Sequence, residues 1–470
     1  MRKFHPYAVA AEAKGRNIYH LNIGQPDIET PKAFFDAVRS FDQPVLEYAP
    51  SPGVPALIEA IRDYYAALDM HFAAEDILIT NGGSEALQIA MNCILDDGDE
   101  ILIPEPFYPN YNTMARTCGA VIHPVSTSPE EGYFYADRRR IEAEITPRTR
   151  AILVTNPGNP TGVVLTHEEM QTIVDVVKEH NLFLVADEVY REFVYGGEPL
   201  ASMAQFDDAA ENVVVVDSIS KRFSACGARI GAMISRNKEF MAQAMKLCQG
   251  RLCPATIDQL GAAAMYRSVE PSYFENVRTE YKKRRDAVVE ELAKIPGVTF
   301  SVPDGAFYIM ATLPVDDAEK LQYFLLEEFE DNGDTVMYAP GSGFYADPAK
   351  GRSEIRIARR KKRRRRAGIL CIACMLCGTF ALLFQRTTFP TEKTVIRAFE
   401  EQLQESAADS ADVLVMSHPL NEMDISEREL SETATGEILQ ALLQLCPTIE
   451  QRTVFGQETA LTQQMEEDPA

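Results

Sequence analysis

The sequence predicts an α/β protein with a mostly parallel sheet, a smaller α+β domain and an atypical C-terminal extension. The first observation is a series of short apolar runs between residues 75 and 235, which alternate with helix-like stretches. Uninterrupted apolar strands indicate a parallel sheet buried on both faces, so helices on both sides would complete a large three-layer α/β domain. The runs are 77–80, 101–103, 151–155, 182–186 and 213–216.

The second observation is a change of pattern after residue 268. The sequence there predicts a long charged helix over 268–294, β-rich stretches at 298–302, 306–313 and 335–338, and a helix over 317–331. An alternating strand that ends at Ala358 closes this part of the chain. We therefore predict an N-terminal arm with part of the small domain (1–35), a large ligand-binding domain (36–270) and a small domain (271–358).

The third observation is the extension itself. Residues 359–366 are all Lys or Arg, and residues 367–384 carry no charge. Eighteen uncharged residues are at the short end of what crosses a bilayer of about 30 Å. Membrane contact through 359–384, a fused foreign piece and a disrupted reading frame are the three interpretations left open for the segment 359–390.

The rest of the extension is polar and acidic. Residues 391–470 contain 17 acidic and 4 basic residues, which is typical of a partly disordered tail. Cys371, Cys374 and Cys377 recur every three residues in the apolar stretch, but no fourth ligand accompanies them. We therefore expect no metal.

The composition indicates a soluble globular protein. The 470 residues are 46% hydrophobic and 25% charged, and the net charge of −24 argues against a nucleic-acid partner, which would require a basic face. The nine cysteines are scattered, and the first thirty residues lack the apolar core of a secretory signal. We expect reduced thiols and a cytoplasmic protein.

The strand at 77–80 leads into a candidate anion site. Thr-Asn-Gly-Gly-Ser at 80–84 opens a helix, so Gly83 and Ser84 would present free N–H groups and a hydroxyl to a negative charge. A tight strand-to-helix turn without a ligand is the alternative. The segment lacks the spacing of dinucleotide or nucleoside-triphosphate loops.

Three further strand ends carry polar residues. Asn159 lies in Asn-Pro-Gly-Asn-Pro-Thr-Gly (156–162), Asp187 and Tyr190 follow the next strand, and Ser218 and Lys221 follow another, with Arg229 eight residues later. Each group alone has an ordinary interpretation as a turn, a solvated pair or a helix start. Because the carboxyl ends of parallel strands meet at one edge, we expect them to converge.

Together these segments resemble one family over residues 1–358, the fold-type-I pyridoxal-5′-phosphate enzymes, and within them the class I/II aminotransferases similar to aspartate aminotransferase. The motifs that carry the resemblance are Leu-Asn-Ile-Gly-Gln-Pro-Asp (21–27), Glu-Tyr (47–48) with Gly53, Gly-Gly-Ser (82–84), Pro-Phe-Tyr-Pro (106–109), 156–162, Asp-Glu-Val-Tyr (187–190), Ser-Ile-Ser-Lys (218–221) with Arg229, and Arg356.

The resemblance implies the roles of the catalytic residues. Lys221 would form the internal Schiff base with the cofactor aldehyde and later move the proton between Cα and C4′. Asp187 would keep the pyridine nitrogen protonated, and Tyr190 and Asn159 would hydrogen-bond the phenolic oxygen. Burial beside cations such as Arg229 would favour the neutral amine that Lys221 needs as nucleophile and base.

The resemblance also implies how cofactor and substrate are held. Gly83, Ser84, Ser218 and Arg229 would bind the phosphate, and Tyr108 would stack on the ring. Tyr48 would reach the phosphate of a neighbouring subunit, which implies a homodimer with shared active sites. Arg356 would bind the substrate α-carboxylate, with Gly24 and Asn159 beside it, although an edge-strand charge is the alternative for Arg356.

The expected activity is ping-pong transfer of an amino group from an L-amino acid, aspartate-like or broad, to a 2-oxo acid. Two alternatives stay open at this point. One is a pyridoxal-phosphate-dependent carbon–sulfur lyase, which would use the same site. The other is an inactive cofactor-binding regulator or membrane-tethered protein, because the family's terminal helix is replaced here by the basic run.

Overall fold

The computed structural model describes residues 2–196 and 201–358. The predictions for 359–390 and 391–470 therefore lie outside the described residues. Within the described ranges, no helix has the length and apolar character required to cross a membrane.

The elements alternate along the chain much as the sequence predicts. The α-helices are α1 (His5–Ala13), α2 (Lys32–Arg39), α3 (Pro55–Ala66), α4 (Gly83–Ile94), α5 (Asn110–Thr117), α6 (Arg138–Glu142), α7 (His167–Glu179), α8 (Ile219–Arg222), α9 (Lys238–Gly250), α10 (Thr256–Ser268), α11 (Pro271–Leu292) and α12 (Ala318–Glu327). The strands are β1 (Asn17–His20), β2 (Ile77–Thr80), β3 (Glu100–Pro104), β4 (Val121–Val125), β5 (Thr149–Thr155), β6 (Phe183–Asp187), β7 (Val213–Ser218), β8 (Gly231–Ile234), β9 (Thr299–Phe300), β10 (Tyr308–Thr312), β11 (Asp334–Met337), β12 (Ala339–Pro340) and β13 (Glu354–Ala358).

The large sheet has seven strands in the order β2-β8-β7-β6-β5-β3-β4. Only β8 runs antiparallel to its neighbours, so the carboxyl ends of β2, β5, β6 and β7 all lie at one edge. This edge receives the four polar segments that the sequence singled out. The expectation that they share one edge is confirmed.

Both faces of this sheet are buried, which makes three layers. Along β2, Ile77 and Ile79 pack into the core on the side of α3, α7 and α10, whereas Leu78 packs into the core on the side of α4, α5 and α9. Because successive strand residues point to opposite faces, a continuous apolar run is required to fill both cores. The fold class is therefore the predicted three-layer α/β arrangement.

A second, mixed α+β region follows. Its four-stranded sheet has the order β12-β13-β10-β9, and β1 pairs in parallel with β11. Helices α11 and α12 pack on it through apolar residues such as Leu292 and Leu325. The domain boundaries at 35/36 and 270/271 stay predictions.

Two predicted helix boundaries differ from the observed ones for local reasons. The helix expected over 268–294 begins later, at Pro271, because Glu270 before the proline is extended (ψ 152°). The helix expected over 317–331 ends at Glu327. Asp317 caps its start by accepting from Glu319 N and Lys320 N, whereas acidic residues at the other end oppose the helix dipole.

The junction between β7 and α8 is fixed by a buried ion pair. Arg222 Nη1 lies 2.7 Å from Asp217 Oδ2, and both side chains are almost fully buried. Tyr65 donates to the same carboxylate oxygen at 2.9 Å, and the Arg222 guanidinium lies 4.2 Å from the Tyr64 ring centre. These contacts hold α8, and with it Lys221, against the sheet.

Replacing Asp217 with Ala should lower the free energy of unfolding by about 3–5 kcal/mol, because the buried Arg222 charge loses its closest carboxylate. Denaturant unfolding at constant m-value measures this loss. Asp208→Ala is the control, since its ion pair with Lys178 is exposed and should matter far less. Equal effects of the two substitutions would contradict the role of the buried pair.

Candidate active site

A cavity of about 710 Å³ opens at the carboxyl edge of the large sheet. Of the sequence-predicted site residues, those that line it are Gly24, Gly83, Ser84, Tyr108, Asn159, Asp187, Tyr190, Ser218, Lys221, Arg229 and Arg356. The cavity therefore brings together every predicted site residue except Tyr48. Its size is in the range of small-molecule sites.

One end of the cavity is a cradle for an anion. Helix α4 begins at Gly83, after Gly82 in a positive-φ conformation (φ 76°), and a Cβ on Gly82 would lie 2.6 Å from Arg229 Nη2. Arg229 Nη1 is 3.4 Å from Ser220 Oγ, and Ser218 Oγ donates to Ser220 Oγ at 2.9 Å. A helix N-terminus, hydroxyls and a guanidinium together favour a phosphate.

Lys221 lies in a partly buried position on α8. Its Nζ donates to the Gly24 carbonyl oxygen at 2.8 Å and approaches Cys226 Sγ at 3.8 Å. Burial lowers the pKa of the Lys221 amine, the contact with Cys226 acts in the opposite direction, and the charges of Arg229 and Arg356 lower it further. The structure thus increases the fraction of neutral amine, as a nucleophile or base requires.

Asp187 lies buried at the carboxyl end of β6. Its Oδ2 accepts from Tyr111 OH at 2.7 Å, and Tyr111 also contacts Thr155 Oγ1 at 2.7 Å. Burial raises the pKa of Asp187 to about 6, and the Tyr111 hydrogen bond works against that rise. Sequence reasoning missed Tyr111, although it lies only three residues beyond the predicted Tyr108, at the start of α5.

A hydrogen-bonded chain links the two sheets across the cavity. Asn159 Nδ2 donates to Tyr190 OH at 3.2 Å, and the Tyr190 and Tyr308 hydroxyls are 2.8 Å apart. Arg356 Nη1 donates to Asn159 Oδ1 at 3.1 Å, and its Nη2 donates to the Asn22 carbonyl at 2.8 Å. Tyr308 is an addition that the sequence did not single out, and the sequence identifies Asn22 only as part of the 21–27 motif, without a role.

Arg356 is not an edge-strand charge, so that alternative is wrong. Strand β13 lies between β12 and β10, and Arg356 is only 3% exposed. Its guanidinium lies 4.4 Å from the ring centre of Tyr308 and 4.9 Å from that of Phe344. A buried arginine at a cavity wall is suited to hold a carboxylate through two parallel hydrogen bonds.

The two remaining tyrosines occupy different surroundings. Tyr108 lines the cavity, with its ring edge-on to Tyr111 at a centroid distance of 5.5 Å. Tyr48 is 80% exposed and does not line the cavity of its own chain. Its predicted role toward a neighbouring subunit stays a prediction.

Comparison with known proteins places these features in a family. Residues 16–358 match the family model described as aminotransferase class I and II. A probable aspartate/prephenate aminotransferase of Aquifex aeolicus is 33% identical over 343 residues, which cover 71% of this chain and 86% of that protein.

Two solved structures are similar in fold. A double mutant of Thermus thermophilus aspartate aminotransferase aligns with a TM-score of 0.72 and 29% identity, covering 81% of this chain and 95% of that one. An alanine aminotransferase of Pyrococcus furiosus aligns with a TM-score of 0.69 and 30% identity, covering 76% and 91%.

The fold and the lysine-bearing cavity define a pyridoxal-phosphate-dependent transferase. The chain belongs to aminotransferase class I and II. It is thus an enzyme that moves amino groups between amino acids and 2-oxo acids, as the resemblance implied.

The residues of the cavity fit pyridoxal phosphate. Arg229 fills the space that a side chain at Gly82 would need, so helix end and guanidinium form one phosphate cradle. The buried Asp187 carboxylate suits a cationic ring nitrogen, and Lys221 offers an amine to an aldehyde. The phosphate cradle, the Asp187 carboxylate and the Lys221 amine therefore match the phosphate, the ring nitrogen and the aldehyde of pyridoxal phosphate.

Tyr111→Phe should shift cofactor binding toward higher pH. Without the Tyr111 hydrogen bond, the pKa of Asp187 should rise above about 6, so the carboxylate becomes protonated at a higher pH and loses its attraction for a cationic nitrogen. The pH dependence of pyridoxal phosphate affinity, measured on cofactor-stripped wild type and variant, reports the shift.

Tyr133→Phe is the matched control for this measurement. Tyr133 is buried, and its hydroxyl has no hydrogen-bond partner among the described residues, so its removal should leave the profile unchanged. Superimposable profiles for Tyr111→Phe and wild type would show that Tyr111 does not tune Asp187.

Proposed function

We propose that Lys221 binds the cofactor and carries the substrate proton, and that Arg356 holds the substrate α-carboxylate, in ping-pong amino transfer from an L-amino acid to a 2-oxo acid. The proposal rests on one observation. A single cavity is lined by a lysine of lowered pKa and by two arginines that lie apart from each other. One arginine, Arg229, lies at the phosphate cradle. The other, Arg356, donates to Asn159 in the hydrogen-bonded chain that includes Tyr190.

The cofactor would be held at three places. Gly83, Ser84, Ser218 and Arg229 would bind its phosphate through N–H groups, hydroxyls and a guanidinium. Asp187 would pair with the ring nitrogen, and Tyr190 and Asn159 would hydrogen-bond the phenolic oxygen, while Tyr108 would cover the ring. When bound, pyridoxal phosphate supplies an aldehyde that combines with amines and a ring that withdraws electrons.

The substrate would be oriented by charge. Arg356 would donate hydrogen bonds to the α-carboxylate, and Asn159 and Asn22 already fix the direction of its two Nη groups. Gly24 lies beside this position, and a Cβ there would clash with the Tyr308 hydroxyl at 1.9 Å. A side chain at residue 24 would therefore displace a member of the hydrogen-bonded chain.

Lys221 would remove the proton from the substrate Cα and deliver it later to the cofactor side. Its lowered pKa supports this role, because the shift increases the fraction of neutral amine, the form that can accept a proton. The Gly24 carbonyl, which accepts from Nζ at 2.8 Å, would hold the amine toward the substrate position.

A cytoplasmic location remains a prediction of the sequence.

We further propose that two copies share their active sites. Tyr48 is largely exposed, and Val45 and Leu46, three and two residues before it in the chain, are also exposed apolar residues. An exposed apolar stretch of this kind is typical of a protein interface. It supports a homodimer in which Tyr48 reaches the cofactor phosphate of the other subunit.

Lys221→Ala should lower amino transfer by several orders of magnitude, because the covalent anchor and the proton carrier are lost together. The assay is a panel of amino donors, aspartate and alanine included, with 2-oxoglutarate as acceptor. Lys246→Ala, an exposed lysine outside the cavity, is the control. Wild-type release of ammonia and pyruvate without an acceptor would instead indicate a carbon–sulfur lyase.

Mixing Tyr48→Ala with Lys221→Ala should restore activity if the sites are shared. Each mixed dimer would contain one site with both residues intact, so random reassembly should recover about a quarter of wild-type activity. Activity of the mixture after dissociation and reassembly is the measurement, and unmixed variants are the controls. Absence of recovery, with both variants folded, would contradict shared sites.

A further inference from the structure

A buried carboxylate ties the loop between β12 and β13 (residues 341–353) to the large sheet. Glu105 follows β3 directly and is only 1% exposed. Its Oε1 pairs with Lys350 Nζ, and its Oε2 accepts from Ala346 N at 3.2 Å, both in that loop. Ser126, next to β4, donates to Glu105 Oε1 at 3.2 Å and accepts from Lys350 Nζ at 2.9 Å. We call these contacts the Glu105 bridge.

The bridge acts on a part of the loop that is otherwise turned toward solvent. Residues 346–350 are exposed. Asp347 accepts from Ala349 N at 2.9 Å and from Lys350 N at 3.1 Å, so these hydrogen bonds shape the loop without joining it to another element. The Glu105 bridge, by contrast, connects these exposed residues with the large sheet. Exposed segments open easily when long-range contacts of this kind are removed.

The same loop shapes the surroundings of Arg356. Phe344 is buried, and its ring centre lies 4.9 Å from the Arg356 guanidinium. Phe107 N donates to the Phe344 carbonyl oxygen at 2.7 Å. Tyr345 donates to Glu354 Oε2 at 2.8 Å, two residues before Arg356 on β13. A displacement of the loop would therefore move the aromatic ring that contacts the guanidinium.

The other end of the bridge lies in the chain next to the cofactor position. Glu105 and Phe107 belong to the stretch that continues into Tyr108, which lines the cavity. Under the proposed function, Tyr108 would cover the cofactor ring and Arg356 would hold the substrate α-carboxylate. The bridge thus connects the cofactor side of the cavity with its carboxylate side, and the separation of the two sides decides whether one substrate can reach both.

We propose that Glu105 and Lys350 are positioning residues, which hold Arg356 at the distance from the cofactor that substrate binding requires. The inference rests on the proposed function, because it uses Arg356 as the carboxylate ligand. It adds two residues that do not line the active-site cavity and for which the sequence indicated no role. Because they act through geometry, their loss should weaken substrate binding and leave cofactor binding unchanged.

The first test is Lys350→Met in the full-length enzyme loaded with pyridoxal phosphate. KM for the amino donor and KM for 2-oxoglutarate should both rise by about tenfold, while kcat changes by less than about twofold, because Arg356 would hold the carboxylate in ground state and transition state alike. The dissociation constant of pyridoxal phosphate should not change. Lys350→Arg, which keeps the charge, should restore both KM values. Unchanged KM values in Lys350→Met would overturn the inference.

Arg352→Met is the matched control. Arg352 lies two residues further along the same loop, but its Nε pairs at 3.3 Å with Asp317, the residue that caps α12. This exposed pair joins the loop to a helix that packs on the four-stranded sheet, so its loss should change KM by less than about twofold. Equal increases in Lys350→Met and Arg352→Met would reveal a general effect of the loop and would overturn the role of the bridge.

The pair itself is tested by adding Lys350→Met to Glu105→Gln. Because the ion pair is already lost in Glu105→Gln, the second substitution should change KM by less than about twofold. A further tenfold increase would mean that Lys350 acts without Glu105, which contradicts the proposal.

Hydrogen–deuterium exchange gives a readout that does not depend on turnover. The amides of Phe107 and Ala346 should exchange at least about fivefold faster in Lys350→Met than in wild type, and at the wild-type rate in Arg352→Met. Unchanged exchange in Lys350→Met would overturn the bridge, and faster exchange with unchanged KM would overturn the positioning role. Absence of turnover by the wild type with every donor would instead refute the proposed function, and this inference with it.

Discussion

The active site depends on a sheet edge whose position is fixed, because helices pack on both faces of the sheet through apolar residues. Residues along β5, β6 and β7 alternate between two cores, so a shift of one residue in any strand would move each side chain into the wrong core and draw polar residues of the strand ends toward a core. The strand ends therefore keep their register. Asp187 and Ser218 are the terminal residues of two of these strands, and their positions follow directly from that register.

Burial at this edge also sets the protonation of the two groups that matter most. The same loss of water lowers the pKa of the Lys221 amine and raises the pKa of Asp187, because in each case the charged form loses solvation. For Lys221 this shift is useful without any ligand. For Asp187 the shift disfavours the charged carboxylate, and a cationic ring nitrogen beside it would offset that effect. The buried carboxylate is therefore suited to a bound cofactor.

Hydrogen bonds connect this edge to the smaller sheet. Asn159 follows β5 of the large sheet, whereas Tyr308 and Arg356 lie on β10 and β13 of the smaller one, and Tyr190 joins the two sets. The Asn159 amide and both Nη groups of Arg356 already donate to defined acceptors. The proposed carboxylate site is thereby held by the same contacts that hold the two sheets together, and a substrate need not order it.

Several features of the protein could be predicted from the sequence. Apolar runs with glycine and proline at their ends identify the parallel strands, because their residue types depend only on burial of both faces and on turn geometry. The same runs place Gly83, Asp187 and Lys221 at one edge, since parallel strands end on the same side. The motif around Lys221 and Arg229 also identifies the cofactor class through its resemblance to a family.

Other features were decided only by the tertiary structure. The sequence does not reveal the roles of Tyr111, Tyr308 and Asn22, even though Tyr111 is close to Tyr108 in the chain and Asn22 belongs to the 21–27 motif. Each acquires its role from a partner 76 to 334 residues away in the chain. The burial of Arg356 likewise depends on β12 and β10 enclosing its strand. Local sequence specifies elements and their ends, whereas long-range packing decides which side chains meet, and the walls of this cavity are made by such long-range contacts.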